Sequence, residues 1–238
     1  MLNESAALLE LGLAQAFPLP SDRTCASVAR STLSIAMTQL ALPDELISDA
    51  TVAVSELATN ALLHAGGTNT ELWIWPRIDP APALVVTVFD TGSGPLPHAV
   101  PDDLLSESGR GLSIVAALTT ATGAHRSRSR LRTVQVSGKA TWFTLALPDD
   151  YPLTTPIQSP QRAAHLLLLE LYTRGLFAYP ADDVGDGPVL VVNDLRIQIS
   201  RTHLTWRNTD GTTITHQLPD LQDSLERIVS HFATRARQ

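Results

Sequence analysis

Two glycines follow an acidic residue at the end of an apolar run, and this segment, LVVTVFDTGSG at 84–94, could bind a ligand. If the run forms a strand, it fixes the carboxylate of Asp90, which can accept a hydrogen bond from a ligand N–H group. Gly92 and Gly94 would let the backbone approach the ligand and leave the following loop free to move. A tight turn capped by an aspartate has the same pattern, and taken alone the segment favours that simpler interpretation.

Glycines also stand directly before a predicted helix, in the segment SGRGLSIV at 108–115. The first N–H groups of a helix have no partner within it, and the helix dipole is positive there, so a phosphate is stabilised at such a position. Arg110, between Gly109 and Gly111, could add a charge-assisted hydrogen bond. An ordinary junction between a loop and a helix looks the same, and this segment alone favours it.

A third segment carries polar residues at helical spacing: Glu56, Asn60 and His64 lie four residues apart within VSELATNALLH at 54–64. On a helix they form one polar stripe, while the apolar residues between them face another side and can pack. The solvent-facing side of an ordinary helix has the same composition, and taken alone the stripe favours that interpretation.

The helices and strands that carry these segments are predicted from apolar periodicity and from turn residues. In order along the chain they are a helix after Ser21 and Asp22, a helix at 43–64, strands at 70–78 and 83–90, a loop at 91–109, a helix at 111–120 and a strand at 139–147. This order predicts an α+β fold, with helices on one face of a mixed, mostly antiparallel sheet.

A polar tract with four prolines at 147–160 predicts a linker, so we expect a boundary near residue 155 between domains at 1–150 and 156–238. The second domain is predicted to be a small α+β domain of helices and short strands, at 159–177, 189–192, 195–200, 203–207, 212–216 and 221–233. No motif in it points to a function.

Composition disfavours several classes of protein. With 44% apolar residues, the chain of 238 residues can bury a core unaided, and its one cysteine, Cys25, excludes a disulfide framework and a multi-cysteine zinc site. A net charge of −7 disfavours nucleic-acid binding, which depends on neutralising phosphates. No apolar run approaches the ~20 residues of a membrane span, and acidic residues stand where a signal peptide is basic, so we expect a cytoplasmic protein without membrane contact.

Alternating arginines would share one side of a strand, namely Arg126, Arg128, Arg130 and Arg132. A charged edge strand that resists aggregation is the simpler interpretation, and a docking face for an acidic partner is the alternative. On another predicted strand Trp73 and Trp75 share a face, for which we expect packing in the core or in a dimer.

Taken together, in this order and spacing, the three segments resemble the GHKL superfamily of ATP-binding domains over about residues 20–148. The local sequence is most similar to the anti-sigma-factor serine kinase branch, which is common among small regulators of actinobacteria. SELATNALLHA at 55–65 resembles the N box of that branch, and GKATWFTL at 138–145 resembles its closing strand. The resemblance implies a two-layer α/β sandwich of the GHKL (Bergerat) type and leaves the C-terminal domain unassigned.

The resemblance also implies roles for the matched residues. Asn60 would ligate Mg²⁺ through its side-chain oxygen, and Asp90 would accept a hydrogen bond from the adenine amino group of ATP. Thr144 on the closing strand would support Asp90 and the adenine through water. Gly92 and Gly94 would line the adenine and hinge a short lid.

The phosphate end of the nucleotide is assigned in the same way. His64 would belong to the nucleotide site, and the residues that close over the phosphates would be Gly109, Arg110, Gly111 and Leu112. The lid, at about 95–108, has no lysine, so neutralising the phosphates would fall on Arg110. Glu56 would be the general base that activates a serine hydroxyl of a partner protein.

Three functions remain open at this point. The first is a regulatory ATP-dependent serine kinase that binds a sigma factor, phosphorylates an anti-anti-sigma partner and forms a homodimer. The second is a non-catalytic nucleotide-binding module whose C-terminal domain recruits a regulatory partner. The third, a fragment of a histidine kinase, is disfavoured because the sequence shows no long dimerisation helix with a phosphoacceptor histidine.

Overall fold

The computed structural model describes residues 13–65, 69–96, 107–132, 134–152, 159–181, 187–208 and 210–235. It has two five-stranded sheets, one in the part up to residue 152, which we call the N-terminal unit, and one in residues 159–235, the C-terminal unit. All described strand pairs are antiparallel. The α+β fold class is confirmed, whereas the mixed sheet that we expected is antiparallel in every described pair.

The elements of the N-terminal unit are, in chain order, β1 (Gln15–Leu19), α1 (Cys25–Gln39), α2 (Asp44–Ala65), β2 (Thr70–Arg77), β3 (Ala83–Asp90), α3 (Glu107–Leu118), β4 (Ala121–Arg128) and β5 (Ser137–Ala146). The sheet order is β1-β2-β3-β5-β4. Strand β3 therefore lies at the centre, with Asp90 at its end opposite Lys139 of β5.

Helices cover one face of this sheet. Alternate residues of β3, among them Val86 and Val88, share a core with Ala53 and Leu57 of α2 and with Leu33 of α1. By length and composition alone α2 is apolar enough to cross a membrane, but its buried residues belong to this core, as expected of a core helix. Cys25 is fully buried in the same core, as a free cysteine often is.

The C-terminal unit begins with a capped helix. Its elements are α4 (Pro160–Thr173), β6 (Ala178–Ala181), β7 (Val189–Val192), β8 (Leu195–Ile199), β9 (His203–Arg207), β10 (Thr213–Gln217), a 3-10 turn (Leu218–Asp220) and α5 (Leu221–Arg235). The strands follow one another in the sheet as β10-β9-β8-β7-β6. At the start of α4 the Ser159 hydroxyl accepts a hydrogen bond from the Arg162 N–H group at 3.2 Å.

The C-terminal unit covers the second face of the N-terminal sheet, where α5 packs on β4. Trp73 is fully buried on this face, where it stacks on Phe89 with 5.2 Å between ring centroids. The guanidinium of Arg174 lies 4.6 Å from the Trp73 ring centre, and that of Arg130 lies 5.7 Å from it. The two tryptophans of β2 thus pack inside one chain, and their side of the sheet is an intramolecular contact.

A buried ionic cluster joins the two units around Glu226 of α5. Its carboxylate pairs with Arg174, accepts from Arg130 at 3.2 Å and from Ser127 at 2.8 Å, and lies 3.3 Å from His125. Burial opposes ionisation of Glu226, but the facing cations, first Arg174, outweigh it and hold the pKa of this carboxyl at about 2. Burial conversely lowers the pKa of Arg174 to about 10.

Among the alternating arginines, Arg130 is shown to pair with acidic groups, and these groups belong to the same chain. Strand β4 ends at Arg128, so Arg130 and Arg132 follow it and do not extend it. Arg130 pairs with Glu170 and Glu226 of the C-terminal unit, and Arg128 donates to the carbonyl oxygen of Arg174 at 3.2 Å.

Several elements differ from the sequence prediction in their bounds or were not predicted at all. The third helix begins at Glu107, four residues before the start that we expected at 111, so Gly109 and Gly111 lie inside it. Strands β1 and β6 were not expected. Residues 153–158 of the linker lie outside the described residues, and the boundary near 155 stays a prediction.

We expect Glu226→Gln to lower the free energy of unfolding by about 3–5 kcal/mol, because it removes one partner of a buried ion pair and leaves two arginines less compensated. Chemical denaturation at neutral pH measures the change. Asp194→Asn, which breaks the half-exposed pair with Arg235, is the matched control and should leave stability unchanged.

Glu226→Gln should also change how the free energy of unfolding depends on pH in the acid range. The folded-state pKa of Glu226, about 2, lies below the ordinary 4.5, so its contribution is present above pH 4.5 and is lost as the pH falls from 4.5 to about 2. Glu226→Gln should lose less stability over that range than the wild type. If its stability and acid profile match those of the wild type, the cluster does not hold the two units together.

Candidate functional site

A small cavity of about 70 Å³ lies between the helices and the end of the central strands. It is lined by residues of α2, β3, α3 and β5, namely Leu57, Asn60, Ala61, His64, Val88, Asp90, Leu112, Lys139 and Thr141. The structure thus brings together four of the residues predicted from sequence to bind a nucleotide: Asn60, His64, Asp90 and Leu112. At roughly 30 Å³ per water molecule the cavity has room for about two waters, so it could hold only part of a larger ligand.

Asp90 is the anion in this cavity. Its side chain is 3% exposed, and its Oδ1 accepts a hydrogen bond from the Gly92 N–H group at 2.8 Å and lies 3.7 Å from Lys139 Nζ. Burial raises the pKa of Asp90, and the nearby Lys139 ammonium opposes that rise. This hydrogen bond is that of a tight turn capped by an aspartate, the simpler of the two interpretations of the segment, and it orients the carboxylate at the strand end.

The start of α3 meets the polar stripe of α2. A Cβ atom at position 111 would lie 2.8 Å from Glu56 Oε2 and 3.5 Å from Asn60 Nδ2, so a larger residue there would displace the end of the Glu56 side chain. Glu56 and Asn60 thus lie next to the first turns of α3, and Asn60 also lines the cavity.

The N-terminal end of α3 still provides N–H groups without a helical partner, now at residues 107–110, and these include Gly109 and Arg110. The side chains at 107–110 and the predicted lid residues 97–106 lie outside the described residues. Gly94 precedes that stretch; a Cβ atom there would meet open space, and its carbonyl oxygen accepts a hydrogen bond from Arg126 at 2.6 Å.

The prediction for Thr144 is wrong. It pairs with Val85 and Ala121, it lies on the face of the sheet that points away from α2, and its hydroxyl contacts Thr120 at 2.9 Å. Thr141 pairs with Val88, next to Asp90, and lines the cavity. Because successive side chains of a strand point to opposite faces, a shift of three residues moves the hydroxyl to the other side of the sheet.

A second, larger cavity of about 610 Å³ lies between the two units, and three tryptophans, Trp75, Trp142 and Trp206, are among its lining residues. Three of its carboxylates are already bonded within the chain. Asp220 accepts from the N–H groups of Ile78 and Asp79, Asp223 pairs with Arg77, and Glu226 belongs to the ionic cluster. Sequence reasoning missed this cavity because it forms only where the two units meet.

The donors and acceptors of the small cavity fit Mg-ATP. A buried carboxylate, Asp90, suits the amino group of a base, and the end of α3 suits phosphate. Within the described ranges no group of three or more His, Cys, Asp or Glu side chains could hold a metal ion. Mg²⁺ needs no such cage, because it keeps several waters and is bound through one or two protein oxygens together with phosphates.

Comparison with known proteins adds a family. The profile of the histidine kinase-like ATPase domain matches residues 19–161. Among curated proteins there is no match. One similar solved structure is the histidine kinase domain of the blue-light activated histidine kinase from Erythrobacter litoralis EL346, at 26% identity over 47% of this chain and 49% of that chain, with a TM-score of 0.29.

The chain thus spans about half the length of that solved structure, and so low a TM-score carries no argument about shape. The profile match covers more than half of the chain and contains Glu56, Asn60, Asp90 and the start of α3. The GHKL resemblance is confirmed at the level of the superfamily, and the chain belongs to the family of histidine kinase-like ATPase domains.

Proposed function

We propose that the chain is a regulatory protein kinase that binds Mg-ATP with its base at the small cavity and transfers the γ-phosphoryl group to a serine of a regulatory protein, as anti-sigma-factor kinases do. This proposal rests on one observation: Glu56, Asn60 and Gly111 lie close together beside the small cavity that Asp90 lines. One helix, α2, supplies an acid, a possible metal ligand and part of the cavity wall.

In this proposal the base of the nucleotide lies at Asp90 and Thr141, and its phosphates extend past Asn60 toward the N–H groups at the start of α3. Asp90 accepts from the base because its carboxylate is buried and oriented by Gly92. Asn60 offers its side-chain oxygen to Mg²⁺, and the helix end stabilises negative charge. His64, exposed to solvent, borders the same cavity.

Mg-ATP supplies the activated phosphoryl group and a divalent cation when it is bound. The protein supplies position and a base: Glu56 takes the proton of the serine hydroxyl as that oxygen attacks phosphorus, and ADP leaves. Glu56 is suited to this because it lies one helical turn before Asn60, on the side of α2 that faces α3.

The proposed partners are proteins, in particular a sigma factor or an anti-anti-sigma protein, and the setting is the cytoplasm. The net charge of −7 supports a protein partner over a nucleic acid. The proposed domains are 1–150, which binds the nucleotide, and 156–238.

A nucleotide-controlled binding module without transfer is the second candidate, and one contact favours it. Arg126 of β4 donates to the Gly94 carbonyl oxygen beside the site, and the next residues of β4, Ser127 and Arg128, bond to the C-terminal unit. Because β4 contacts both the loop beside the cavity and the C-terminal unit, nucleotide binding in the cavity could change the conformation of the C-terminal unit.

Calorimetric titration of Mg-ATP should show micromolar binding to the wild type and a loss of at least tenfold in Asn60→Ala and in Asp90→Asn, since one charge-assisted contact contributes about 1.5–3 kcal/mol. Asp194→Asn, the same substitution at a half-exposed surface pair, should bind as the wild type. Because burial raises the pKa of Asp90, binding should weaken with falling pH sooner than for an ordinary aspartate. No binding to a folded wild type would contradict the proposal.

Glu56→Gln should keep Mg-ATP affinity within about twofold but lower phosphoryl transfer by roughly 10²–10⁴-fold, the usual contribution of a general base. Transfer from radiolabelled ATP to a panel of anti-anti-sigma proteins measures it, with Asn60→Ala as the variant that loses both properties. A wild type that binds ATP and phosphorylates no acceptor would favour the binding module.

A further inference from the structure

Lys139 is the chain's only lysine, and it lies in the wall of the small cavity. On β5 it pairs with Asp90 of β3, and its side chain is 10% exposed. Lysine is almost never fully buried unless it is paired, because desolvating an ammonium group is costly. A buried ammonium at this position therefore needs a partner.

The partner in the structure is Asp90, at 3.7 Å between Nζ and Oδ1. At that distance the two groups form an ion pair, but the distance is longer than that of a good hydrogen bond. The same Oδ1 already accepts a hydrogen bond from the Gly92 N–H group at 2.8 Å. An ammonium has three N–H donors. Within the described part of the chain Asp90 is the acid that Nζ contacts, so N–H donors of Lys139 remain for a ligand in the cavity.

Asp90 and Lys139 thus place an acceptor and a donor side by side on one cavity wall. A base that fits them presents a donor next to an acceptor in the matching order. Adenine does so, because its 6-amino group is flanked by ring nitrogens that accept hydrogen bonds, whereas guanine carries an acceptor, O6, where adenine carries the amino group.

We propose that Lys139 determines base specificity: it donates a hydrogen bond to a ring nitrogen next to the 6-amino group, N1 or N7, while Asp90 accepts from that amino group. The inference deepens the proposed function and rests on ATP binding in this cavity. A lysine that only neutralised Asp90 would have no preference among purines that differ at these nitrogens.

The single lysine allows a direct test in the unmodified protein. Lysine labelled with ¹⁵N at Nζ gives one side-chain ammonium signal, from Lys139. Saturating Mg-ATP should shift this signal, and at least one of 1-deaza-ATP and 7-deaza-ATP, each of which lacks one flanking nitrogen, should not reproduce the shift. A signal that ATP leaves in place, or that both analogues shift as ATP does, overturns the inference.

Affinities give the second readout. The wild type should bind ATP about 10- to 100-fold more tightly than the sensitive analogue, the range of one hydrogen bond to a charged group. In Lys139→Met that ratio should fall to about one, because the methionine keeps the length and apolar stem but donates nothing. An unchanged ratio in the variant overturns the inference.

The two proposals fail in different ways. If the wild type binds ATP but does not discriminate against either analogue, the role of Lys139 is wrong and ATP binding stands. If calorimetry shows no ATP binding to the folded wild type, both are wrong.

Discussion

Strand β3 is buried at all eight positions from Ala83 to Asp90, and a strand can be buried on both sides only if each face of its sheet is covered. Helices α1 and α2 cover one face, and the C-terminal unit covers the other. The alternation of side chains then sorts residues between two environments. Val86, Val88 and Asp90 point to the helices, whereas Val85 and Phe89 point to the C-terminal unit.

The two faces are held by different forces. The helix face is an apolar core, but the other face combines stacked aromatic rings with the charges around Glu226. Such a cluster is costly to desolvate and depends on complete pairing, so it favours one orientation of the two units over others. The cluster also includes Arg130, which follows β4 and is paired with Glu170 and Glu226.

Much of the site could be predicted from sequence, because its parts are local. The Asp-x-Gly turn and the stripe of α2 depend on neighbours in the chain, and the structure brings Asp90, Asn60 and His64 to one cavity as those patterns indicate. Pairing between distant strands is what the sequence does not reveal. It decides that Thr141 and not Thr144 lies next to Asp90, and it brings Lys139 against Asp90.

The failure to predict strands β1 and β6 has a local cause. Both β1 and β6 are edge strands that contain a proline, Pro18 and Pro180, and proline weakens the strand signal although it is tolerated at a sheet edge. The docking of the two units could not be predicted either, since each partner of Glu226 looks like a surface charge in the sequence.

A crystal structure of the chain with Mg²⁺ and a non-hydrolysable ATP analogue would locate the nucleotide. We expect the adenine amino group within hydrogen-bonding distance of the Asp90 carboxylate, beside Thr141, on the face of the sheet that α2 covers. An analogue bound in the cavity between the two units, or an adenine that does not contact Asp90, would contradict this expectation.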